Sequence, residues 1–157
     1  MNRTVVIGIG NALRGDDGAG IAVADRLRAV VPPGVVVVSS DAEPSRLIET
    51  WEGMDSAVLV DTVTSGAPAG TLHRYDPGET PIEARALRSS THAIGLAETI
   101  ELARALGKLP PRVVLHGIEG AHFETGAGLT WAVEEAVGRL RDLILAELKE
   151  ERCTSAH

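Results

Sequence analysis

The sequence predicts an α/β domain: a three-layer α/β/α sandwich around a mostly parallel sheet of about five strands. Three observations carry this. Short β-branched runs alternate with helix-patterned segments nearly throughout, an order that joins parallel strands by right-handed crossovers. The runs are apolar without alternation, as strands covered on both faces are. Apolar residues make up 44% and charged residues 24% of 157, enough for one soluble domain with a sizeable core; aromatics supply only 3%, so Val, Leu, Ile and Ala must build it.

The elements follow in order. Thr4 to Ile9 reads as a buried strand ending in a glycine turn. A helical pattern begins at Ile21 and runs to about Val31, stopped by Pro32-Pro33-Gly34. Val35 to Val38 is a second strand. Pro44 to Glu52 is a helix with proline in its first turn and Gly53 just past its end. Ser56 to Val60 is a third buried strand, with Asp61 at its end and a Thr/Ser/Gly/Pro loop from Thr62 to Gly70. Thr71 to Tyr75 alternates polar and apolar, as a sheet-edge strand does. Asp76 to Arg88 is given no element. Ile94 to Leu106 is an amphipathic helix closed by Gly107. Arg112 to Ile118 is the last strand, and Glu119 to Leu129 a glycine-rich loop. Thr130 is placed as the cap of a final helix from Trp131 to about Glu150. The expected organisation is a single domain over residues 1–150 and a flexible tail over 151–157.

Composition narrows the partners. A net charge of −7 argues against nucleic acid, whose binding rests on Lys and Arg neutralising phosphates. No apolar run is long enough to span a membrane, and the first residues lack signal-peptide organisation, so the expectation is a cytoplasmic protein. The one cysteine, Cys153, excludes an internal disulfide and a four-cysteine zinc site.

In an open parallel sheet, ligands bind beyond the carboxyl ends of the strands. The polar residues that follow strands are Asn11, Asp16 and Asp17 after the first, Asp61 after the third, and Glu119, His122 and Glu124 after the last. His92 precedes a helix in Ser89-Ser90-Thr91-His92, with His122 as its rival. His73 and His116 lie within strands and read as structural. Each candidate has a plainer reading. Asp16 or Asp17 can cap the helix behind the turn; Asp61 can start a turn on its own loop backbone; His92 can be a first-turn histidine.

The opening turn tests a nucleotide site. Gly8-x-Gly10 is followed by Leu13, not by the third glycine of a dinucleotide fingerprint. Two carboxylates then stand where a pyrophosphate would need the positive end of the helix. Two carboxylates and one imidazole instead make a mixed oxygen and nitrogen set, suited to a borderline divalent transition ion with coordination positions left open. The chain has no H-E-x-x-H and no G-x-S-x-G, and its thiol is in the tail, so a Ser or Cys nucleophile is not expected.

At these residues the chain resembles the [NiFe]-hydrogenase maturation proteases. The resemblance rests on Gly8-x-Gly10-Asn11-x-Leu13-x-x-Asp16-Asp17-Gly18-x-Gly20, on Leu59-Val60-Asp61, and on Ser90-Thr91-His92-x-x-Gly95-Leu96. Gly117-Ile118-Glu119 and Gly128-Leu129-Thr130 extend it, in order, over nearly the whole chain. It implies an endopeptidase of α/β/α, phosphorylase/hydrolase-like fold that removes the C-terminal extension of a hydrogenase large-subunit precursor once nickel is inserted. It also implies Asp17, Asp61 and His92 as the catalytic and metal-binding residues. Asn11, Asp16 and Glu119 are implied in supporting or substrate-side roles. Nickel would arrive in the substrate, and other divalent cations can occupy such a site in vitro. The chain departs from the pattern at Gly120 and Trp131, where proline is expected, both on the substrate side.

Two other readings compete. A peptidyl-tRNA hydrolase-like enzyme shares the strand and Gly-x-Gly-Asn turn, but needs a basic surface and a histidine soon after the turn; this chain is acidic and has no histidine before His73. A non-enzymatic metal- or partner-binding module on the same fold is separated by whether the protein shortens a nickel-loaded precursor.

Overall fold

The computed structural model describes residues 2–77 and 95–155. Five strands form one sheet: β1 (Thr4–Ile9), β2 (Val35–Ser40), β3 (Ser56–Val63), β4 (Leu72–Tyr75) and β5 (Arg112–Glu119), in the order β2-β1-β3-β5-β4. β1, β2, β3 and β5 run parallel; β4 closes one edge antiparallel to β5. The alternating pattern of Thr71 to Tyr75 suited that edge.

Helices cover both faces, so the α/β/α sandwich stands. α1 (Ala19–Leu27) and α4 (Trp131–Ser155) lie on one face. α2 (Pro44–Trp51) and α3 (Leu96–Ala105) lie on the other. The strands divide their side chains by parity. Val6, Val58, Val60 and Ile118 pack with Val23, Leu27, Val137, Leu140 and Ile144. Val5, Ile7, Leu59 and Leu115 pack with Leu47, Trp51, Leu96 and Ile100.

Some element boundaries differ from the sequence reading. β3 runs on to Val63 because its partner β5 runs on too: Asp61 lies opposite Gly117, Thr62 opposite Ile118 and Val63 opposite Glu119. Asp61 is therefore inside a strand and does not start a turn. α4 continues through Ser155, so residues 151–155 are helix and not a tail. Its C-terminal end is tied down: Arg112 pairs with Glu151 at 2.8 Å, and the Arg152 guanidinium donates to the Asn2 carbonyl at 3.5 Å. The helix predicted from Ile21 begins earlier, with a 3-10 turn over Gly15–Gly18 leading into α1.

Gly20 sets how closely α1 approaches the sheet. A Cβ there would collide with the carbonyl oxygens of Ile9 and Val60. This is the helix-packing role of the third glycine in a nucleotide fingerprint, performed here ten residues after Gly10.

Candidate active site

The site is built at the carboxyl ends of β1 and β3, where the sheet order reverses: from β1 the chain goes outward to β2 and then back across to β3. The turn leaving β1 is drawn tight. Gly10 has φ +144°, and a Cβ on it would strike the Asp17 carbonyl. Asn11 shapes the turn with its backbone and its side-chain oxygen: its N–H donates to the Asp17 carbonyl at 3.2 Å, its carbonyl accepts from Arg14 N–H at 3.1 Å, and its Oδ1 accepts from Leu13 N–H at 2.9 Å. The 3-10 turn then delivers Asp16 and Asp17, both fully buried.

Asp16 is the anchor of the loops. Its carboxylate accepts from the N–H groups of Ala121 (2.8 Å), His122 (3.0 Å) and Thr130 (2.8 Å), and from the Thr130 hydroxyl at 3.0 Å. Its own N–H donates to the His122 carbonyl at 2.8 Å, and its carbonyl accepts the Thr62 hydroxyl at 2.8 Å. Burial pushes its carboxyl upward, but these donors outweigh burial and hold it below the usual carboxylate range. The expectation that Asp16 or Asp17 caps the helix behind the turn is corrected: Gly18 is the cap residue of α1, and no side chain caps there. Thr130, expected to cap α4, gives its hydroxyl and N–H to Asp16. Gly120 fits this packing, since a Cβ on it would come within 2.7 Å of Thr62 Cγ2 and 3.1 Å of Asp16 Cβ.

Asp17 and Asp61 are buried beside it. Asp17 lies under the turn with the Arg14 guanidinium 4.0 Å from Oδ2. Asp61, 1% exposed, accepts one hydrogen bond, from the Thr62 N–H to Oδ1 at 2.7 Å; among the described residues its Oδ2 has no hydrogen-bond partner. Burial pushes the Asp61 carboxyl well above the usual range, against the pull of the Thr62 N–H, and the charge of Asp17 pushes it further up. The Thr62 hydroxyl on the Asp16 carbonyl ties together the two backbones that carry Asp17 and Asp61. A buried carboxylate pair of like charge, one oxygen without a partner, suits a divalent cation, which neutralises both groups.

The other predicted residues are placed plainly. His92 lies outside the described residues, as do Ser89 to Thr91 and the start of the helix predicted from Ile94. Among the described residues no three His, Cys, Asp or Glu side chains gather as a metal site. The rival His122 is exposed, and its backbone serves Asp16. Glu119 lies at the end of β5 but belongs to the β3–β4 loop: its carboxylate accepts from Ser65 N–H (2.8 Å) and Ser65 hydroxyl (2.6 Å), and lies 3.1 Å from His73 Nε2. His116 is buried in β5, 3.5 Å from Glu147 of α4; burial lowers its pKa, against the pull of that carboxylate. Thr62 and Arg14 were missed from the sequence. Thr62 reads there as the first residue of a loop, and nothing in its neighbourhood signals a buried hydroxyl.

The rim is apolar. Leu13 is 70% exposed and Trp131 80% exposed, both on segments that Asp16 and Gly126 hold fixed: the Leu13 carbonyl accepts from Gly126 N–H at 2.8 Å, and Thr130 precedes Trp131. Beside Leu13 a crevice of about 500 Å³ opens between the β1–α1 turn and Asp41, with Asp17 in its lining. No helix among the described residues is long and apolar enough to cross a membrane.

An α/β/α sandwich with paired buried carboxylates at the switch point of its sheet is the class of protein that the fold and site define. Residues 21–147 match the family model described as hydrogenase maturation protease, and the chain belongs to that family. It is 30% identical over 152 residues to the hydrogenase expression/formation protein HupD of Bradyrhizobium diazoefficiens, covering 95% of this chain and 79% of that one. It is 28% identical over 154 residues to the hydrogenase 2 maturation protease of Escherichia coli, covering 94% of this chain and 92% of that one. In three dimensions it is similar to the [NiFe] hydrogenase maturation protease HycI of Thermococcus kodakarensis, with a TM-score of 0.72, 29% identity, and 94% and 93% of the two chains covered. A role as an endopeptidase in hydrogenase maturation follows from this membership, and the tRNA-hydrolase and non-enzymatic readings give way to it.

Proposed function

We propose that the chain removes the C-terminal extension of a [NiFe]-hydrogenase large-subunit precursor after nickel insertion, in the cytoplasm, and that it recognises the nickel through Asp17, Asp61 and His92. The observation that carries this is the buried Asp17–Asp61 pair at the sheet's switch point, with Asp61 Oδ2 lacking a partner among the described residues. Nickel is here part of the substrate. When bound, it would supply a positive charge that binds both carboxylates and polarises an adjacent carbonyl.

The chain's own residues do the rest. Burial and the charge of Asp17 favour the protonated form of Asp61, and a cation would take the place of that proton. Asp17 is fixed by the turn hydrogen bonds around Asn11. Asp16 holds the two loops that frame the pair. A precursor without nickel brings no cation to this pair, which makes recognition of the inserted nickel a condition of binding.

The test is cleavage of a purified precursor by the purified protein, with and without nickel in the precursor. Nickel-loaded precursor should lose its extension and nickel-free precursor should stay intact. Efficient cutting of the nickel-free form would remove the recognition role from the site.

A further inference from the structure

We propose that an extended, basic segment of the precursor seats along the outer edge of β2, which no strand among the described residues covers, in the crevice that begins at Asp17. This rests on the function proposed above and names the chemistry that the crevice selects. Two hollows of about 470 and 500 Å³ share Gly10, Ile21 and Asp41. One contains Asp17; the other continues over Ser39, Arg46 and Glu49. A chain lying in them runs from the paired carboxylates outward past the edge of the sheet.

The edge supplies main-chain recognition. Among the described residues β2 pairs with β1 alone. The Gly10 N–H donates to the Ser40 carbonyl at 3.1 Å, so the backbone groups of Ser40 face β1 and those of Ser39 face away from the sheet. An extended polypeptide can pair with that outward edge, as a strand added to a sheet does. The adjoining loop is already shaped: Ala42 N–H donates to Ser40 Oγ at 3.1 Å and Glu43 N–H to Asp41 Oδ1 at 3.2 Å, with Ala42 held at φ +69°. Less ordering is left to do when a partner binds.

The charge selects a basic partner. Arg46 stands between two carboxylates, Asp41 at 3.3 Å and Glu43 at 3.7 Å. Glu49, nearly one turn further along α2, forms no ion pair among the described residues, and Asp17 adds its charge at the other end. The lining is net negative, so a segment with Lys or Arg is attracted and an acidic one repelled.

The experiment is steady-state cleavage of a nickel-loaded large-subunit precursor by the whole protein and by Ser39→Pro and Glu49→Lys. Proline removes the outward N–H at a position where an edge strand tolerates it. Each variant should raise KM roughly five- to tenfold with kcat nearly unchanged, the mark of lost ground-state binding. Wild-type KM should rise with ionic strength and that of Glu49→Lys should not. Asp142→Lys, with the same change of total charge on α4, should leave KM unchanged. If Ser39→Pro does not fold, Glu49→Lys decides alone. An unchanged KM in the folded variants overturns the seat and leaves the protease reading standing; no cleavage by the wild-type protein overturns both.

Discussion

Asp16 and Asp61 are both buried carboxylates at the same edge of the sheet, and the fold treats them in opposite ways. Asp16 accepts hydrogen bonds from three backbone N–H groups and a hydroxyl, and is held ionised. Asp61 accepts one hydrogen bond from its own neighbour, faces the charge of Asp17, and is pushed toward the neutral form. The difference separates structure from chemistry. A buried carboxylate with its lone pairs filled stabilises the loops around it, whereas one left under-supplied costs stability and stays available to a ligand.

The largest expected effect comes from changing the three residues of the proposed site. Asp17→Asn, Asp61→Asn and His92→Ala should each reduce precursor processing by about a hundredfold or more while circular dichroism stays native. Processing at the normal rate by all three would sink the site assignment. Next is Asp16→Asn, which turns an acceptor of four hydrogen bonds into a group with its own donor facing donors; it should lower unfolding free energy by about 3 kcal/mol in denaturant titration. The sign of its pH dependence is fixed. The folded pKa of Asp16 is depressed, so its contribution is present above the unfolded value of about 4 and fades as pH falls through the folded value.

Asp61→Asn should do the reverse. The raised folded pKa means that the contribution of Asp61 is whole below about pH 4 and is lost as pH rises through the folded value. The asparagine variant should therefore be more stable than wild type at neutral pH, by about 1–2 kcal/mol, with the advantage shrinking in acid. An inactive variant that gains stability would set Asp61 apart from Asp16; a loss of stability would erase the distinction. The smallest expected effect is Thr62→Val, which keeps shape and removes the hydroxyl between the two backbones. It should cost about 1 kcal/mol, with a fall in kcat larger than that loss of stability explains.

Much of the fold was legible because its signals are local. The unbroken run Ser56 to Val60 could only be a strand covered on both faces, and Pro44 with Gly53 bracketed α2. Asp61 was legible as a candidate because it follows that run. What was not legible depends on distant chain segments. β3 reaches Val63 only because β5 is there to pair with it. The partners of Asp16 lie more than 100 residues away, so its sequence neighbourhood suggested a helix cap and could not show the loop anchor it is. Glu119 was chosen for following a strand, yet its bonds go to Ser65 and His73, which no spacing rule brings together.

Helix α4 starts beside the Asp16 anchor and, over 25 residues or about 37 Å, reaches the amino-terminal ends of β1 and β5. Near its far end it carries Cys153, exposed and the only thiol in the chain. The molecule thus has a ready attachment point remote from its working end. A dye or resin coupled there leaves the turn, the crevice and the apolar rim unobstructed, so capture of a precursor can be watched on the unmodified face of the protein.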